Sequence, residues 1–126
     1  PVPGMGRILV MDDDEMIREI ASEILHYLGY DVVVCDDGSE AVDLYRVAKE
    51  SEEPFNAVIM DLTVAGGMGG REAMVKLLEI DPQVKGIVSS GYSNDPILAR
   101  YRDYGFCAVM AKPYNVENFT EIVQKL

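Results

Sequence analysis

Five short apolar runs, rich in β-branched residues, alternate along the chain with longer amphipathic segments. Continuous apolar runs of this kind are typical of strands buried on both faces of a parallel sheet. The runs cover residues 8–11, 32–35, 57–60, 86–89 and 107–110. This alternation predicts an α/β fold with a five-stranded parallel sheet, and right-handed crossovers place helices on both of its faces.

The segments between the runs have helical spacing, and local signals mark several of their ends. Gly29 ends the first helix, Asp95-Pro96 opens a fourth helix that continues to about Tyr104, and Asn115 caps the fifth. The apolar positions predicted to face the core, helix by helix, are Met16, Ile17, Ile20, Ala21, Ile24, Leu25 and Leu28; Ala41, Val42, Leu44, Tyr45 and Ala48; Ala73, Met74, Leu77 and Leu78; and Val116, Phe119, Ile122, Val123 and Leu126.

The length of the chain predicts a single domain, and its charge and hydropathy disfavour direct nucleic-acid binding and a membrane span. The chain has 126 residues, a size typical of one domain. Its net charge of −11 disfavours direct nucleic-acid binding, because phosphate backbones select basic faces. No apolar run approaches the roughly 20 residues that a membrane span needs. We interpret residues 1–6 as a linker or tag remnant and residues 7–126 as the domain.

The chain has two cysteines, Cys35 and Cys107. Both lie in apolar, strand-like runs, and two thiols so far apart in sequence match neither a metal site nor a disulfide framework. We therefore interpret both as small buried hydrophobic residues of a cytoplasmic protein in a reducing compartment.

Polar residues stand at the ends of four of the predicted strands. The acidic triplet 12–14 follows the first strand, Asp61 follows the third, serines 89–90 end the fourth and Lys112 follows the fifth. In open α/β sheets, ligands bind outside the carboxyl ends of the strands. The sequence therefore predicts one site that gathers these residues at a single edge of the sheet.

The residue types at this edge suit phosphoryl chemistry. Three carboxylates in one crevice repel each other unless a cation or a raised pKa compensates, and Mg²⁺ is a hard cation that prefers oxygen ligands. Lys112 adds a second positive charge, so Asp61 can act as a carboxylate nucleophile toward a phosphoryl group. Asp14 taken alone has a simpler interpretation as the N-cap of the first helix.

Four segments together resemble the receiver domain of bacterial and archaeal two-component systems, over about residues 7–126. They are Ile8-Leu9-Val10-Met11-Asp12-Asp13, Val58-Ile59-Met60-Asp61-Leu62, Val88-Ser89-Ser90-Gly91 and Met110-Ala111-Lys112-Pro113-Tyr114. The resemblance implies a flavodoxin-like, doubly wound sheet with strand order 2-1-3-4-5. Cys35 and Cys107 would then lie at opposite edges of the sheet and could not pair with each other.

The resemblance also implies a role for each matching residue. Asp61 would be the phosphoacceptor, and Lys112 and Ser90 would contact the phosphoryl group. Ser90 is preferred to Ser89 because a small residue, Gly91, follows it. The implied Mg²⁺ ligands are Asp13 directly, Asp12 largely through water, Asp61, and Thr63 through its backbone carbonyl. The Lys112-Pro113 peptide bond is often cis in this family.

The implied function is signal relay. A sensor histidine kinase or phosphotransfer domain would donate the phosphoryl group of its phosphohistidine to Asp61, and the surface of strands four and five would then switch. Such a chain is a phosphoacceptor and not an ordinary enzyme, although it assists its own Mg²⁺-dependent phosphorylation and dephosphorylation. A kinase or output domain attached to the same chain, and a weak homodimer, are both compatible with this reading.

The sequence departs from the family pattern at three places. Ala65 stands where a Pro is usual, and the Gly-rich loop 65–70 is one residue longer than usual, which we interpret as a flexible turn. Val109 occupies the position of an aromatic switch residue. This loop, together with residues 90–93, is similar to receivers attached to hybrid histidine kinases, and Gly91 and Tyr92 are expected to line the phosphoryl pocket.

Three other functions are considered. A phosphorylation-independent interaction module of the same fold is the main alternative, although the intact set of Asp13, Asp61, Ser90 and Lys112 argues against it. An aspartate-nucleophile phosphatase would use the motif Asp12-x-Asp14, but the chain is short and its apparent nucleophile follows strand three. An FMN-binding flavodoxin is disfavoured because the acidic triplet would repel the FMN phosphate.

Overall fold

The structure is a computed structural model that describes residues 6–91 and 95–126. Five parallel strands form one sheet in the order β2-β1-β3-β4-β5, as predicted. The strands are β1 (Arg7–Met11), β2 (Asp31–Cys35), β3 (Ala57–Asp61), β4 (Gly86–Ser90) and β5 (Ala108–Ala111). The helices are α1 (Glu15–Tyr27), α2 (Gly38–Lys49), α3 (Gly70–Ile80), α4 (Pro96–Ala99) and α5 (Val116–Gln124), with a 3₁₀ helix at Tyr101–Tyr104.

The central strands carry the continuous apolar runs because both of their faces are covered. All five residues of β3 and all five of β4 are buried. One face packs against α2 and α3, in a cluster that includes Leu9, Met60 and Leu77. The other face packs against α1 and α5, in a cluster that includes Ile59 and Phe119. Side chains that alternate along each strand therefore enter two separate cores.

Local signals at the helix starts act as the sequence predicted. Asp14 Oδ1 accepts a hydrogen bond from the backbone N–H of Met16 at 2.9 Å, so Asp14 is the N-cap of α1. Asn115 caps α5 in the same way, through the N–H of Asn118 at 2.8 Å. The first helix ends before Gly29, whose φ of 95° is in the region that favours glycine.

Parts of two predicted apolar helix faces are exposed, so these core assignments were wrong. Ala21 and Leu25 are fully buried, but Met16 on α1 is 68% exposed, Ile20 is 37% exposed and Val116 on α5 is 49% exposed. Helices α1 and α5 share one face of the sheet. Each apolar stripe is wider than the strip of sheet available to it, so its outer edge stays in solvent.

The predicted fourth helix is much shorter than expected. Helix α4 has four residues and begins with Asp95 as N-cap and Pro96 at its start, as predicted, but the backbone at Arg100 is not helical (φ −124°, ψ 34°). The chain continues as a 3₁₀ turn that ends at Gly105. Neither piece contains a buried residue. Most helical stability in proteins comes from a packed face, and in this segment only partly buried side chains such as Ile97, Leu98 and Tyr101 pack against the core.

The two cysteines differ in their surroundings. Both thiols are free, and Cys35, at the end of β2, is buried as predicted. Cys107 is exposed, which corrects the prediction that it is buried. It precedes β5, an edge strand of the sheet with a single neighbouring strand, β4, within the described part of the chain. Strands β2 and β5 lie at opposite edges, so the two thiols are far apart as expected.

Candidate functional site

The carboxyl ends of β1 and β3 bring three carboxylates together. The two strands are neighbours and pair in parallel, with Met11 opposite Met60. Asp12 and Asp13 follow β1, and Asp61 ends β3. One carboxylate oxygen from each of these aspartates lies within 4.8 Å of the others. The convergence predicted from the strand ends is therefore present in the fold.

These carboxylates differ in their contact with water. Asp12 is completely buried and Asp61 is 6% exposed, whereas Asp13 is exposed. Burial of ionised carboxylates is unfavourable unless they are paired with a cation or hydrogen-bonded. The site therefore requires positive charge close to Asp12 and Asp61.

Lys112 supplies a positive charge from the end of β5. Its Nζ lies 2.5 Å from Asp12 Oδ2 and 3.1 Å from Asp61 Oδ1, so one ammonium group bridges the two buried carboxylates. Burial acts to lower the pKa of Lys112, but the hydrogen bond with Asp12 and the charge of Asp61 outweigh it and leave this pKa raised. Lys112 is therefore a cation at neutral pH. The Lys112-Pro113 bond is cis, as the resemblance implied.

The pKa of Asp61 is raised from 3.8 to about 6. Burial is the largest cause, and the neighbouring charges of Asp12 and Asp13 act in the same direction. Lys112 opposes them, both through its charge and through its hydrogen bond. The Asp61 carboxylate is thus ionised at neutral pH but at a considerable cost, which a second cation in the crevice would reduce.

The acidic triplet is held in shape by its own hydrogen bonds. Asp12 Oδ1 accepts a hydrogen bond from the Asp14 N–H at 2.9 Å, and the Asp12 carbonyl accepts one from the Arg18 guanidinium at 2.8 Å. Arg18 was not among the residues predicted from the sequence. The signal was available, because Arg18 lies one helical turn after Asp14 and therefore faces back toward the start of α1.

The two serines of β4 are both buried, at 0% exposure for Ser89 and 6% for Ser90. Ser89 is opposite Asp61 in the register of β3 and β4. Ser90 is one residue nearer the carboxyl edge, and its carbonyl accepts the Lys112 N–H at 3.2 Å. The preference for Ser90 over Ser89 as the hydroxyl that contacts a phosphoryl group stays a prediction.

Backbone hydrogen bonds hold both ends of the loop after Asp61. The Leu62 N–H donates to the Ser89 carbonyl at 3.0 Å, and the Gly70 N–H donates to the Leu62 carbonyl at 3.2 Å. A tight turn within the loop places Gly66 at φ 72°. Thr63, the predicted carbonyl ligand, is exposed within this loop.

Two further positions named from the sequence bear on the site. Val109 is half-buried and, like Tyr101 and Tyr104, packs against the buried core cluster that includes Val88. Gly91 is exposed at the end of β4. The predicted pocket residue Tyr92 lies outside the described residues.

The donor set fits a hard divalent cation. Carboxylate oxygens from Asp12, Asp13 and Asp61 are the ligand type that Mg²⁺ and Ca²⁺ prefer. Asp12 Oδ2 is buried, and its close polar contact is with the Lys112 ammonium. The acidic cluster therefore has the composition and spacing of a cation site.

The chain matches known proteins along almost its whole length. It is 31% identical to a response regulator receiver protein of Anaeromyxobacter sp. over 94% of this chain, and it spans 47% of the length of that relative. It is 26% identical to sporulation initiation phosphotransferase F of Bacillus subtilis, over 94% of this chain and 91% of the relative.

Comparison of structures gives the same fold. The receiver domain of a sensor histidine kinase from Pseudomonas aeruginosa PAO1, solved with a magnesium ion coordinated in its active-site cleft, superposes with a TM-score of 0.82. The two chains are 20% identical, and 95% of each is covered.

None of the helices in the described ranges is long and apolar enough to cross a membrane.

The response regulator receiver domain model matches residues 8–124 of this chain. The match includes every strand end that contributes to the acidic site, because Asp12, Asp61 and Lys112 all fall within it. This protein therefore belongs to the response regulator receiver domain family.

Proposed function

We propose that Asp61 is the phosphoacceptor of this receiver domain and that it acts with Mg²⁺ bound to the acidic cluster. The observation that carries the proposal is the clustering of three carboxylates within 4.8 Å of one another, with the Lys112 ammonium against two of them. Asp12, Asp13 and Asp61 would hold the metal through their side chains, and Thr63 would hold it through its carbonyl. Bound Mg²⁺ supplies positive charge that stabilises the equatorial oxygens of a transferring phosphoryl group.

The proposed step is an in-line displacement at phosphorus. An Asp61 carboxylate oxygen forms the new P–O bond while the P–N bond of the donor phosphohistidine breaks, and the bonding electrons return to the imidazole nitrogen. With a pKa of about 6, Asp61 is deprotonated and available as a nucleophile at neutral pH. The product is an acyl phosphate on Asp61.

Lys112 would stay in contact with the negative charge at Asp61 as the phosphoryl group is transferred. In the described structure its ammonium contacts both Asp12 and Asp61. A phosphoryl group on Asp61 carries more negative charge than the carboxylate does, so we expect Lys112 to shift its contact from Asp12 toward the phosphoryl oxygens. The Ser90 hydroxyl would donate a hydrogen bond to another of these oxygens.

The movement of Ser90 and Lys112 would link the site to the surface formed by β4, β5 and α4. Both residues lie at the ends of these strands, and α4 contains no buried residue that would resist a change in packing. Two pre-existing arrangements of this surface would then differ in population between the free and the phosphorylated protein. Val109 contains no aromatic ring, so an aromatic side chain at this position cannot turn inward to report phosphorylation.

Membership in the receiver domain family suggests which proteins would donate the phosphoryl group. A sensor histidine kinase or a phosphotransfer domain would donate the phosphoryl group, and the domain could be part of a longer chain such as a hybrid histidine kinase. We propose that residues 7–126 form the receiver domain and that residues 1–6 are a linker. The receiver would assist both its own phosphorylation and the later hydrolysis of the acyl phosphate.

The test is the intact mass of the protein after incubation with a small acyl-phosphate donor. One added phosphoryl group, seen with Mg²⁺ and lost with chelator, is the expected result. It should be absent in Asp61→Asn, while the matched control Asp36→Asn, which removes an exposed carboxylate, should accept the group normally. No mass increase under any condition would refute the assignment and favour the phosphorylation-independent interaction module.

A further inference from the structure

The loop between β3 and α3 is closed by an unusually close backbone approach. Gly69 is the N-cap residue of α3, and no side chain caps this helix. A Cβ atom built at Gly69 would lie 2.4 Å from the Leu62 carbonyl oxygen and 3.3 Å from the Thr63 Cα. Contacts below 3.0 Å are essentially never made by real Cβ atoms, so this position has room for glycine alone.

Space, and not backbone conformation, is the reason for the glycine. The backbone of Gly69 is extended, with φ −89° and ψ −177°, and most residues adopt this conformation readily. The neighbouring Gly66 is different, because its φ of 72° favours glycine but an added Cβ there would meet nothing within 4 Å. The two glycines thus serve the loop in different ways.

Two further backbone contacts, at Gly70 and at Gly38, keep the loop closed. The Gly70 N–H donates to the Leu62 carbonyl at 3.2 Å, and an added Cβ at Gly70 would lie 2.8 Å from the Asp61 carbonyl oxygen. On the outside of the loop, the Gly38 N–H at the start of α2 donates to the Met68 carbonyl at 2.7 Å. Residues 69–70 at the end of the loop therefore pack directly against residues 61–63 at its start.

We infer that Gly69 is a positioning residue for the metal site, because its lack of a side chain lets the loop close and fixes the backbone at Thr63. This inference rests on the proposed function, in which the Thr63 carbonyl is a metal ligand. Mg²⁺ requires near-ideal octahedral geometry at short distances. A carbonyl held in place before the metal arrives costs less to order on binding than one on an open loop.

A side chain at Gly69 would push the Leu62 carbonyl away and open the loop at Thr63. The three carboxylates would be left in place, because Asp12 and Asp13 lie in the turn that follows β1, while Asp61 is fixed by its pairing with β4. Loss of a group that orients a metal ligand typically lowers metal affinity by about 10- to 100-fold. We expect a weakening of this order in Gly69→Ala.

The test is Mg²⁺ titration of the unphosphorylated protein by calorimetry, which needs no phosphoryl transfer. Gly67→Ala is the matched control, since it makes the same change in the same loop, where an added Cβ would meet its nearest neighbours at 3.4–3.5 Å. Gly69→Ala should raise the Kd for Mg²⁺ by about tenfold or more, while Gly67→Ala should bind like the wild type. Equal Kd values for Gly69→Ala and the wild type would overturn the inference.

Two further measurements separate this inference from the proposed function. Asp13→Asn should also bind Mg²⁺ weakly, and if the wild type binds no Mg²⁺, both the metal site and the role of Gly69 are wrong. Circular dichroism shows whether Gly69→Ala folds. If it does not, hydrogen exchange of the Gly70 amide in the wild type without Mg²⁺ decides, because a preformed loop protects this amide and exchange at the rate of an unstructured peptide would refute the closure.

Discussion

Replacement of Asp61 by Asn should stabilise the fold at neutral pH, although it removes the proposed phosphoacceptor. The Asp61 carboxylate is buried beside Asp12 and Asp13, and its pKa is about 6 in the folded protein against 3.8 for the free group. The folded state therefore opposes the ionisation of Asp61. Asn has nearly the same shape as a protonated Asp and has no charge to bury.

The size of the effect follows from the pKa. Each pKa unit corresponds to about 1.4 kcal/mol, so ionisation of Asp61 costs the folded state about 3 kcal/mol above pH 7. The cost is absent below about pH 4, where the carboxyl is protonated in both states, and it grows as pH rises from about 4 to 6 because the unfolded chain ionises first. This pKa already includes the favourable interaction with Lys112, so Asn, which is neutral like the protonated carboxyl, should stabilise the fold by up to about 3 kcal/mol.

The assay is urea unfolding of wild type and Asp61→Asn in chelator at several values between about pH 5 and 8. The difference in the free energy of unfolding should rise between about pH 5 and 6 and level off by about pH 7. Asp36→Asn, which makes the same change of charge at an exposed position, should differ little from the wild type. An Asp61→Asn variant that is no more stable than the wild type at about pH 8 would refute the argument.

Three other outcomes are expected. Tyr45→Phe removes a 2.7 Å hydrogen bond to Asp81 and should lower the free energy of unfolding in urea by about 1.5–3 kcal/mol. Because this bond holds the pKa of Asp81 below its usual value of 3.8, the difference should shrink only as pH falls below that value, and a pH-independent loss would contradict this reasoning. Asn115→Ala should cost about 1 kcal/mol in thermal unfolding through loss of the α5 cap, and an unchanged melting temperature would argue against the cap. Iodoacetamide should alkylate the exposed Cys107 in the folded protein but react with Cys35 only in denaturant, because Cys35 is buried and its burial raises the thiol pKa to about 12. Mass spectrometry of peptides distinguishes the two thiols. Rapid labelling of Cys35 in the native protein would contradict its burial.

The positions of the strands and the convergence of the acidic residues could be predicted from the sequence. A strand buried on both faces leaves a continuous apolar run, and the residue after each run lies at the same edge of a parallel sheet. Asp12, Asp61 and Lys112 could therefore be placed together without knowledge of any contact between them. The helix starts at Asp14 and Asn115 were also predictable, because a cap depends on residues that are close in sequence.

Sequence patterns are a weaker guide where two elements compete for one surface. The apolar spacing of α1 does not reveal that α5 shares its face of the sheet, so Met16 and Ile20 were wrongly assigned to the core. The fourth helix shows the same limit, since its length depends on how deeply its apolar face is buried, and in the tertiary structure no residue of this segment is fully buried. Cys107 resembles a buried strand residue in sequence and is exposed because it lies beside an edge strand.

By itself, the sequence determined the fold class, the strand ends and the residue types at the site, because these depend on periodicity and on local hydrogen bonding. The tertiary structure alone decided two arrangements: the bridge of Lys112 between Asp12 and Asp61, and the closure of the loop at Gly69. Such contacts join segments far apart in the chain or set backbones against each other within a few tenths of an ångström. They arise from the packing of whole elements, which no local pattern of residues records.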